Sequence, residues 1–241
     1  MKLPQPMIPG RLVRRYKRFL ADVILDGGGE RVTASTPNTG SMMGLLDEGN
    51  RVWLSVSDDP KRKYRHRWEL VEVNGPAGPA LVGLNTGLPN RLVAEALAAG
   101  VIPELAGYGT LRQEVRYGEE NSRIDLLLED PERPPVYIEV KNVTLSRQPG
   151  VAEFPDAVTA RGAKHLRELA RIAASGRARA AMVYLAQRTD AQRFRLAEDI
   201  DPAYMDEWKR AVDAGVEVHA LACDVTPQEI VARKVIPVEI P

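Results

Sequence analysis

Two acidic residues and a lysine stand close together near the middle of the chain, in the segment SRIDLLLEDPERPPVYIEVKNVTL, residues 122–145. Asp125 opens an apolar strand. After a proline-rich turn, the next strand contains Glu139 and Lys141. Side chains alternate across a strand, so these two project from the same face. A hairpin at the turn would place Asp125 beside Glu139.

This arrangement has the composition of a metal site for phosphodiester hydrolysis. Adjacent carboxylates repel each other, and a hard divalent cation such as Mg²⁺ or Mn²⁺ relieves the repulsion. Asp125 and Glu139, together with the Val140 carbonyl, are the expected ligands. A cation there would polarise a phosphate and lower the pKa of a water molecule. Lys141 would orient or help deprotonate that water and stabilise the developing negative charge.

The same residues have a simpler interpretation. A pattern of Asp, thirteen residues, Glu, one residue and Lys is loose, and short motifs of this kind occur by chance. Glu139 and Lys141 would then form an ion pair on an edge strand, and Asp125 would bond the turn. The spacing alone does not decide between a hydrolytic site and an ion pair.

The elements that would position these residues begin near residue 85. Glycines after the helical segments and apolar runs between them predict the order αβββαβαβ. This order is typical of an α/β domain with a mixed sheet and helices on its faces. The predicted elements are a helix Arg91–Ala99 capped by Asn90, strands Leu111–Tyr117, Arg123–Glu129 and Val136–Val143, a helix Ala157–Ser175, a strand Ala180–Leu185, a helix Ala203–Ala214 and a strand Val216–Leu221.

The first third of the chain has a different sequence pattern. Short β-rich runs alternate with turn signals, which predicts five strands in about 75 residues. Such a series suits a small barrel of the OB type, a fold that often binds oligonucleotides, although an SH3-like barrel gives much the same pattern. We therefore expect a barrel over 1–84 and an α/β domain over 85–241. The predicted strands are Phe19–Leu25, Arg31–Ser35, Arg51–Ser57, Arg67–Val73 and Ala80–Leu84.

The composition of the chain excludes several kinds of site and several classes of protein. The 241 residues carry no formal net charge, but residues 1–85 hold 13 Lys and Arg against 9 Asp and Glu. Cys223 is the sole cysteine, which excludes an internal disulfide and a cysteine-based zinc site. No secretory signal and no run of roughly 20 apolar residues is present. We expect a cytoplasmic protein without a membrane partner; the oligomeric state, a homodimer included, stays open.

Two basic segments of the barrel mix cations with aromatic residues, a combination that suits phosphate contacts and base stacking. A solvated surface is the alternative. The candidate nucleic-acid-binding residues there are Arg14, Arg15, Lys17, Arg18, Lys61, Arg62 and Lys63. Lys164 is a further candidate, because Arg161, Lys164 and His165 share one helical face that could meet the scissile phosphate. A structural role for His165 is about as well supported.

Several blocks of the chain, in order, resemble the sugar fermentation stimulation protein A family of bacteria and archaea. They cover nearly the whole sequence: GRLVRRYKRFLADV (10–23), PNTGSM (37–42), KRKYRHRWEL (61–70), LNTGLPNRLVAEAL (84–97), EVRYG (114–118), SRIDLLLE (122–129), YIEVKNVTL (137–145) and FPDAVTARGAKHLREL (154–169). The resemblance implies an OB-like DNA-binding domain joined to a PD-(D/E)XK nuclease domain. It also implies DNA binding without sequence specificity and a link to sugar (maltose) metabolism.

The resemblance assigns the nuclease core to Asp125, Glu139 and Lys141. A fourth acidic residue is expected earlier in the chain, and Glu114 is favoured over Glu95 as a catalytic residue. Family members often carry His-Cys before the PNTG block, where this chain has Ser35 and Thr36, so no catalytic role is expected at that position.

The function expected from these observations is a metal-dependent nuclease acting on DNA, with RNA as a second candidate substrate. The alternative is a non-enzymatic, sequence-nonspecific DNA-binding regulator of sugar metabolism. A carbohydrate-binding barrel is disfavoured, because only 5% of the residues are aromatic.

Overall fold

The computed structural model describes residues 1–117 and 122–239. The N-terminal part is a closed five-stranded barrel in which an antiparallel β1–β4 pairing and a parallel β3–β5 pairing complete the ring β1-β2-β3-β5-β4. A sixth strand extends the sheet beyond β5. The strands are β1 (Ile8–Tyr16), β2 (Leu20–Leu25), β3 (Arg31–Ser35), β4 (Arg51–Val56), β5 (His66–Gly75) and β6 (Gly78–Gly83).

The barrel confirms the expected fold but corrects its strand list. The sequence did not predict β1, and it counted β6 as a member of the ring. In β1 only Gly10 and Leu12 are buried, so charged side chains obscure its apolar pattern. Inward-facing residues of the other strands, including Val23 and Leu54, pack with Leu12 around the fully buried Trp68. Burial of these apolar side chains is the main stabilising contribution to the barrel.

The second domain contains a six-stranded mixed sheet in the order β15-β14-β12-β9-β8-β7. The pairings β9–β12 and β12–β14 are parallel and the outer ones antiparallel. The expected α/β architecture is therefore confirmed. The sheet strands are β7 (Thr110–Tyr117), β8 (Ser122–Asp130), β9 (Arg133–Val143), β12 (Arg179–Ala186), β14 (Glu217–Val225) and β15 (Ile230–Ile236).

Three helices cover the two faces of this sheet: α1 (Pro89–Ala98), α2 (Ala160–Ala174) and α3 (Pro202–Asp213). The core on the α1 side includes Leu92 and Ile138, and the core on the α2 and α3 side includes Leu166 and Tyr184. These opposite faces explain why the strands are apolar on both sides. α1 begins at its proline, a favoured first helical position, and its N-cap residue is Leu88. The prediction that Asn90 caps this helix was wrong.

A second, smaller sheet was not predicted. It joins four short strands in the order β10-β11-β13-β16: β10 (Leu145–Gln148), β11 (Val151–Phe154), β13 (Arg193–Leu196) and β16 (Val238–Glu239). The sequence gives little signal for strands of two to four residues. β10 and β11 form a hairpin, whereas the β11–β13 and β13–β16 pairings join strands far apart along the chain. The sequence also did not predict β15.

The two domains contact each other through hydrogen bonds that backbone N–H groups of the barrel donate to the second domain. The Gly83 N–H donates to the Gln187 carbonyl at 2.8 Å, and the Met42 N–H donates to Asp156 Oδ2 at 3.0 Å. The first residues of the chain lie against the second domain, since Leu3 packs in its core. Among residues 1–117 and 122–239, no helix is both long and apolar enough to cross a membrane.

Candidate active site

The acidic residues of the central segment lie where β8 and β9 part. Backbone pairing between these strands ends at Leu126 and Ile138. Next along β8, the Asp125 carboxylate takes the place of a backbone acceptor: its Oδ2 accepts the Val140 N–H at 2.7 Å. The structure therefore holds Asp125 against the strand that carries Glu139 and Lys141.

Glu139 lies almost completely out of contact with solvent. Its side chain is 3% exposed, and its Oε1 accepts a hydrogen bond from Lys141 Nζ at 2.7 Å. The same oxygen contacts Nδ1 of His165 on α2. The second oxygen, Oε2, is buried and has no hydrogen-bond partner among the described residues. A buried carboxylate oxygen without a partner is costly, so this atom points to a ligand.

The two carboxylates have opposite pKa shifts. Burial, and then the negative charge of Glu139, raises the pKa of Asp125 to about 6. Burial would also raise the pKa of Glu139, but the Lys141 charge and the His165 hydrogen bond outweigh it and lower that pKa. Near neutral pH, this places two negative charges side by side. Such perturbed carboxylates are concentrated at functional sites.

His165 belongs to the site. It is buried, and its Nε2 accepts a hydrogen bond from Arg161 Nε at 3.4 Å. Because Nε2 accepts, the proton of a neutral imidazole sits on Nδ1 and faces Glu139. The helical spacing of Arg161 and His165 was the only sequence signal for this contact, and it left the role of His165 open.

Asn90 links α1 to the acidic pair. Its Nδ2 donates to Asp125 Oδ1 at 3.0 Å and to Glu114 Oε1 at 3.3 Å. Glu114 is exposed and has a positive φ of 54°, so the backbone bends at this point of β7. Glu95 points elsewhere and pairs with the Met1 amine at 3.0 Å. Glu114, the favoured fourth acidic residue, is thus connected to the site through Asn90, and its catalytic role stays a prediction.

The donor set fits a hard divalent cation. Asp125 and the free Oε2 of Glu139 offer oxygen ligands, and Mg²⁺ binds through one or two carboxylates while keeping several waters. Within residues 1–117 and 122–239, no group of three or more His, Cys, Asp or Glu side chains forms a cage for a metal. The protein would therefore supply only part of a coordination shell, as expected where substrate phosphate completes it.

The first basic segment of the barrel lies at the turn between β1 and β2. Arg15 is engaged in the fold, because its Nη2 donates to the Asn38 and Gly40 carbonyls at 3.1 and 2.9 Å. Arg14 Nε donates to Asp22 Oδ2 at 3.1 Å and keeps an exposed side chain. Lys17 and Arg18 are exposed. Arg14, Lys17 and Arg18 are therefore the members of this segment that can reach a phosphate.

The second basic segment lies in the loop between β4 and β5, and its candidates Lys61, Arg62 and Lys63 are all exposed. The β1–β2 and β4–β5 loops are the ones through which OB folds contact oligonucleotides. Lys164 on α2 is half-buried and makes contacts of its own. The nucleic-acid-binding role of all these residues stays a prediction.

Comparisons with known proteins identify relatives of both domains. A family model described as "Sugar fermentation stimulation protein RE domain" matches residues 87–229, and one described as "SfsA N-terminal OB domain" matches residues 13–83. Sugar fermentation stimulation protein homologs of Brucella melitensis and Brucella ovis are each 54% identical over 239 residues, covering 99% of this chain and 98% of the relative.

A solved structure shares the whole architecture. It is described as "The structure of Pyrococcus Furiosus SfsA in complex with Ca2+", with a TM-score of 0.83 and 26% identity, and the match covers 100% of this chain and 98% of that chain. The family models, the relatives and the fold agree along the length of the sequence. The chain belongs to the sugar fermentation stimulation protein A family.

Proposed function

We propose that this protein is a Mg²⁺- or Mn²⁺-dependent nuclease that hydrolyses phosphodiester bonds of DNA, with RNA as a second candidate substrate. The single observation that carries the proposal is the pairing of Asp125 with a Glu139 whose buried Oε2 lacks a partner. The barrel would hold the strand without sequence specificity through its exposed basic loops, because phosphate contacts carry no sequence information directly.

A purely structural ion pair explains the site less well. Lys141 and His165 both contact Oε1 of Glu139, and neither contacts Oε2. Asp125 adds a second negative charge without adding a cation. An ion pair that serves only stability would satisfy its buried acceptors. A cation beside the free oxygen would offset both the unpaired acceptor and the repulsion between the carboxylates.

The residues around the acidic pair have separate roles in this proposal. A bound divalent cation would supply Lewis acidity to the phosphate and lower the pKa of the attacking water. Lys141, whose side chain is 14% exposed, keeps its ammonium group in the site, where it can donate to that water or to the phosphate. His165 and Asn90 fix the orientation of Glu139 and Asp125.

The related protein from Pyrococcus furiosus has been solved in complex with Ca²⁺. Ca²⁺ and Mg²⁺ both prefer oxygen ligands, so that complex supports a divalent cation in this chain as well. A single buried cysteine, Cys223, suits a reducing compartment, and we place the protein in the cytoplasm.

A DNA-binding regulator of sugar metabolism without hydrolytic activity is the second candidate. The exposed cations of the β1–β2 and β4–β5 loops favour it, because they account for DNA binding and require no chemistry. The names of the relatives favour the metabolic link. This candidate leaves the free oxygen of Glu139 without an explanation.

A cleavage assay separates the two candidates. End-labelled single- and double-stranded oligonucleotides are incubated with the full-length protein in Mn²⁺, Mg²⁺ or EDTA. The nuclease should cut in Mn²⁺ or Mg²⁺, stop in EDTA, and lose about 100- to 1,000-fold in rate on Glu139→Gln. Glu129→Gln, at a partly exposed position of β8 that pairs with Arg112, is the matched control and should cut normally. Retardation of DNA without cutting in any metal would support the regulator instead.

A further inference from the structure

A cleft of about 220 Å³ lies between the barrel and the second domain, and the hydrolytic site does not use it. The barrel contributes the turn 38–40 to its wall. The second domain contributes Thr86, residues from 142–145 at the end of β9, and residues 153–156. Small ligands often bind at such seams between domains, in clefts with a few convergent polar groups.

The wall of this cleft is built from segments that already stood out in the sequence. Every lining residue except Glu153 belongs to one of four blocks that carry the family resemblance: 37–42, 84–97, 137–145 and 154–169. These blocks are far apart in the chain and come from both domains. The fold brings them to one place.

The barrel side of the cleft is held in a fixed conformation. Arg15 donates to the Asn38 and Gly40 carbonyls, and Arg18 Nε donates to the Thr39 carbonyl at 3.2 Å. The Asn38 side chain closes the turn by accepting the Gly40 N–H at 2.8 Å. A ligand would therefore meet a wall that costs little to order on binding.

The second domain holds the turn from the other side. The Thr86 hydroxyl donates to the Pro37 carbonyl at 2.8 Å, and Asp156 accepts the Met42 N–H. Asn142 is fixed as well, because its Oδ1 accepts from Gln187 Nε2 at 2.6 Å. That bond orients the Asn142 amide and leaves its NH₂ group to donate to a ligand.

The chemistry of the wall selects the kind of ligand. Among the described residues, the cleft is lined by the carboxylates of Glu153 and Asp156 and by no Lys or Arg, so it is not built for a phosphate. Asn38, Asn142 and Thr144 offer amide and hydroxyl groups, while Leu145 and Phe154 offer an apolar surface. A flat polar heterocycle matches this combination, since the amide of Asn or Gln pairs well with the edge of a base.

The surroundings of the cleft suit an unpaired strand. Of five large hydrophobic side chains exposed in the described residues, three lie in segments that flank it: Phe19 at 46%, Met43 at 41% and Val158 at 75%. Exposed aromatic side chains such as Phe19 bind unpaired bases by stacking. Asn142 directly follows Lys141 on β9, so its side chain projects from the opposite face of the strand. The Asn142 backbone lies about 3.3 Å from that of Lys141 along the strand, and the cleft therefore adjoins the strand that carries the hydrolytic residues.

We infer that this cleft receives one unpaired nucleobase of the substrate strand and that Asn142 is a binding residue for it. The inference rests on the proposed function. It makes the protein selective for single-stranded or locally unpaired nucleic acid, because a base inside a duplex cannot enter the cleft.

Equilibrium binding tests this without relying on cleavage. Fluorescence anisotropy in Ca²⁺ measures the affinity of the full-length protein for a labelled single strand, and for a set in which one position at a time is abasic. Removal of the base at one position of the strand should raise Kd about 10-fold. Asn142→Ala should raise Kd for the intact strand by about 5- to 10-fold, the loss of one hydrogen bond to the base. It should have no further effect on the strand that is abasic at the responsive position.

Gln187→Ala is the matched control, because it removes the same Asn142–Gln187 hydrogen bond but leaves the Asn142 amide in the cleft. Its effect on Kd should be smaller than that of Asn142→Ala. The inference would be overturned if Asn142→Ala and the abasic position raised Kd additively. It would also be overturned if the strand bound but no single abasic position changed Kd. Displacement of the strand by glucose or maltose would assign the cleft to a carbohydrate. Absence of any binding would refute the proposed function itself.

Discussion

Two buried glutamates of this molecule have opposite surroundings. Glu153, whose side chain is fully buried, accepts hydrogen bonds from the Arg147 and Arg195 guanidinium groups through both of its oxygens. Glu139, 3% exposed, shares one oxygen between Lys141 and His165 and leaves the other without a partner among the described residues. Burial of a carboxylate alone therefore does not mark a functional site.

The two glutamates differ in whether their buried oxygens all have hydrogen-bond partners. The Glu153 network balances its charge and uses every acceptor, which is what a group that only stabilises the fold requires. At Glu139 the negative charge of a second carboxylate, Asp125, increases the imbalance. An unpaired buried acceptor beside a second negative charge persists in a fold when a ligand compensates it, or when function requires the strain. The comparison predicts that changes at Glu153 affect stability and changes around Glu139 affect chemistry.

The largest effect should come from Lys141→Ala. Loss of the ammonium group should lower the cleavage rate by about 100- to 1,000-fold, the scale seen when a single electrostatic contact to the transition state is removed. Affinity for DNA should stay within about 3-fold of the parent protein. Initial rates and anisotropy on the same oligonucleotide measure both quantities. A variant that cuts at more than a tenth of the parent rate would contradict the role of Lys141.

The next effect concerns Glu153→Gln, which should leave the chemistry intact and destabilise the fold. Removal of one partner of a buried ion network costs about 3 kcal/mol, at the low end because both arginines are about a third exposed. For a chain of this size that is a Tm decrease of about 6–12 °C. Calorimetry measures it. An unchanged Tm together with lost cleavage would contradict the assignment of a stabilising role to Glu153 and a chemical role to Glu139.

Asp125→Asn should act on stability with the opposite sign. The folded pKa of Asp125 is raised to about 6 from an ordinary value near 3.8, so its ionisation destabilises the folded state progressively between these values and fully above pH 6. In EDTA at pH 8 the variant should be more stable by about 3 kcal/mol, since each pKa unit of that shift corresponds to 1.36 kcal/mol. The gain should fade as the pH falls toward 4.

Urea unfolding at pH 8 and pH 4.5 checks this, with Asp130→Asn on the same strand as the control. The cleavage rate of the parent protein should rise as the pH increases through 6, because Asp125 must ionise to bind a cation. Equal stability of the parent protein and Asp125→Asn at pH 8 would mean that Asp125 is not strained by its neighbours.

The smallest effect belongs to the exposed basic loops. Lys63→Ala should weaken DNA binding about 3-fold at low salt and reduce the slope of log K against log salt by ~0.7–0.9, the value for one phosphate contact. The rate at saturating DNA should not change. Lys209→Ala, on the exposed face of α3, is the control with no expected effect. An unchanged salt dependence would remove the β4–β5 loop from the interface.

The sequence predicted most of the central fold, because long apolar runs such as those of β8, β9 and α2 carry strong periodicity. It also predicted that Asp125 lies beside the strand of Glu139 and Lys141, where the structure places it, while the catalytic role of these residues stays a prediction. It missed β1, whose charged residues obscure its pattern and whose pairing with β4 crosses about 40 residues of chain. The short strands β10, β11, β13 and β16 were missed because two to four residues carry little periodicity, and because the β11–β13 and β13–β16 pairings join strands distant in sequence.

The sequence did not predict the contacts of two site residues, Asn90 and His165, for different reasons. Asn90 lies beside a helix start, where Asn is a common cap, and only the structure shows that Pro89 begins the helix and that the Asn90 amide turns to Asp125. His165 had a suggestive spacing from Arg161, but its contact with Glu139 depends on how α2 packs on the sheet. Contacts between elements cannot be read from periodicity along one element.

The most direct test of the whole account is the anomalous diffraction signal of a crystal soaked in Mn²⁺. We expect one strong peak bounded by the Asp125 carboxylate and Oε2 of Glu139, at a distance of about 2.0–2.3 Å from each oxygen, and its loss in Glu139→Gln crystals. A well-ordered site without a peak, or a peak bound only elsewhere, would contradict the claim that this pair of carboxylates exists to hold a cation.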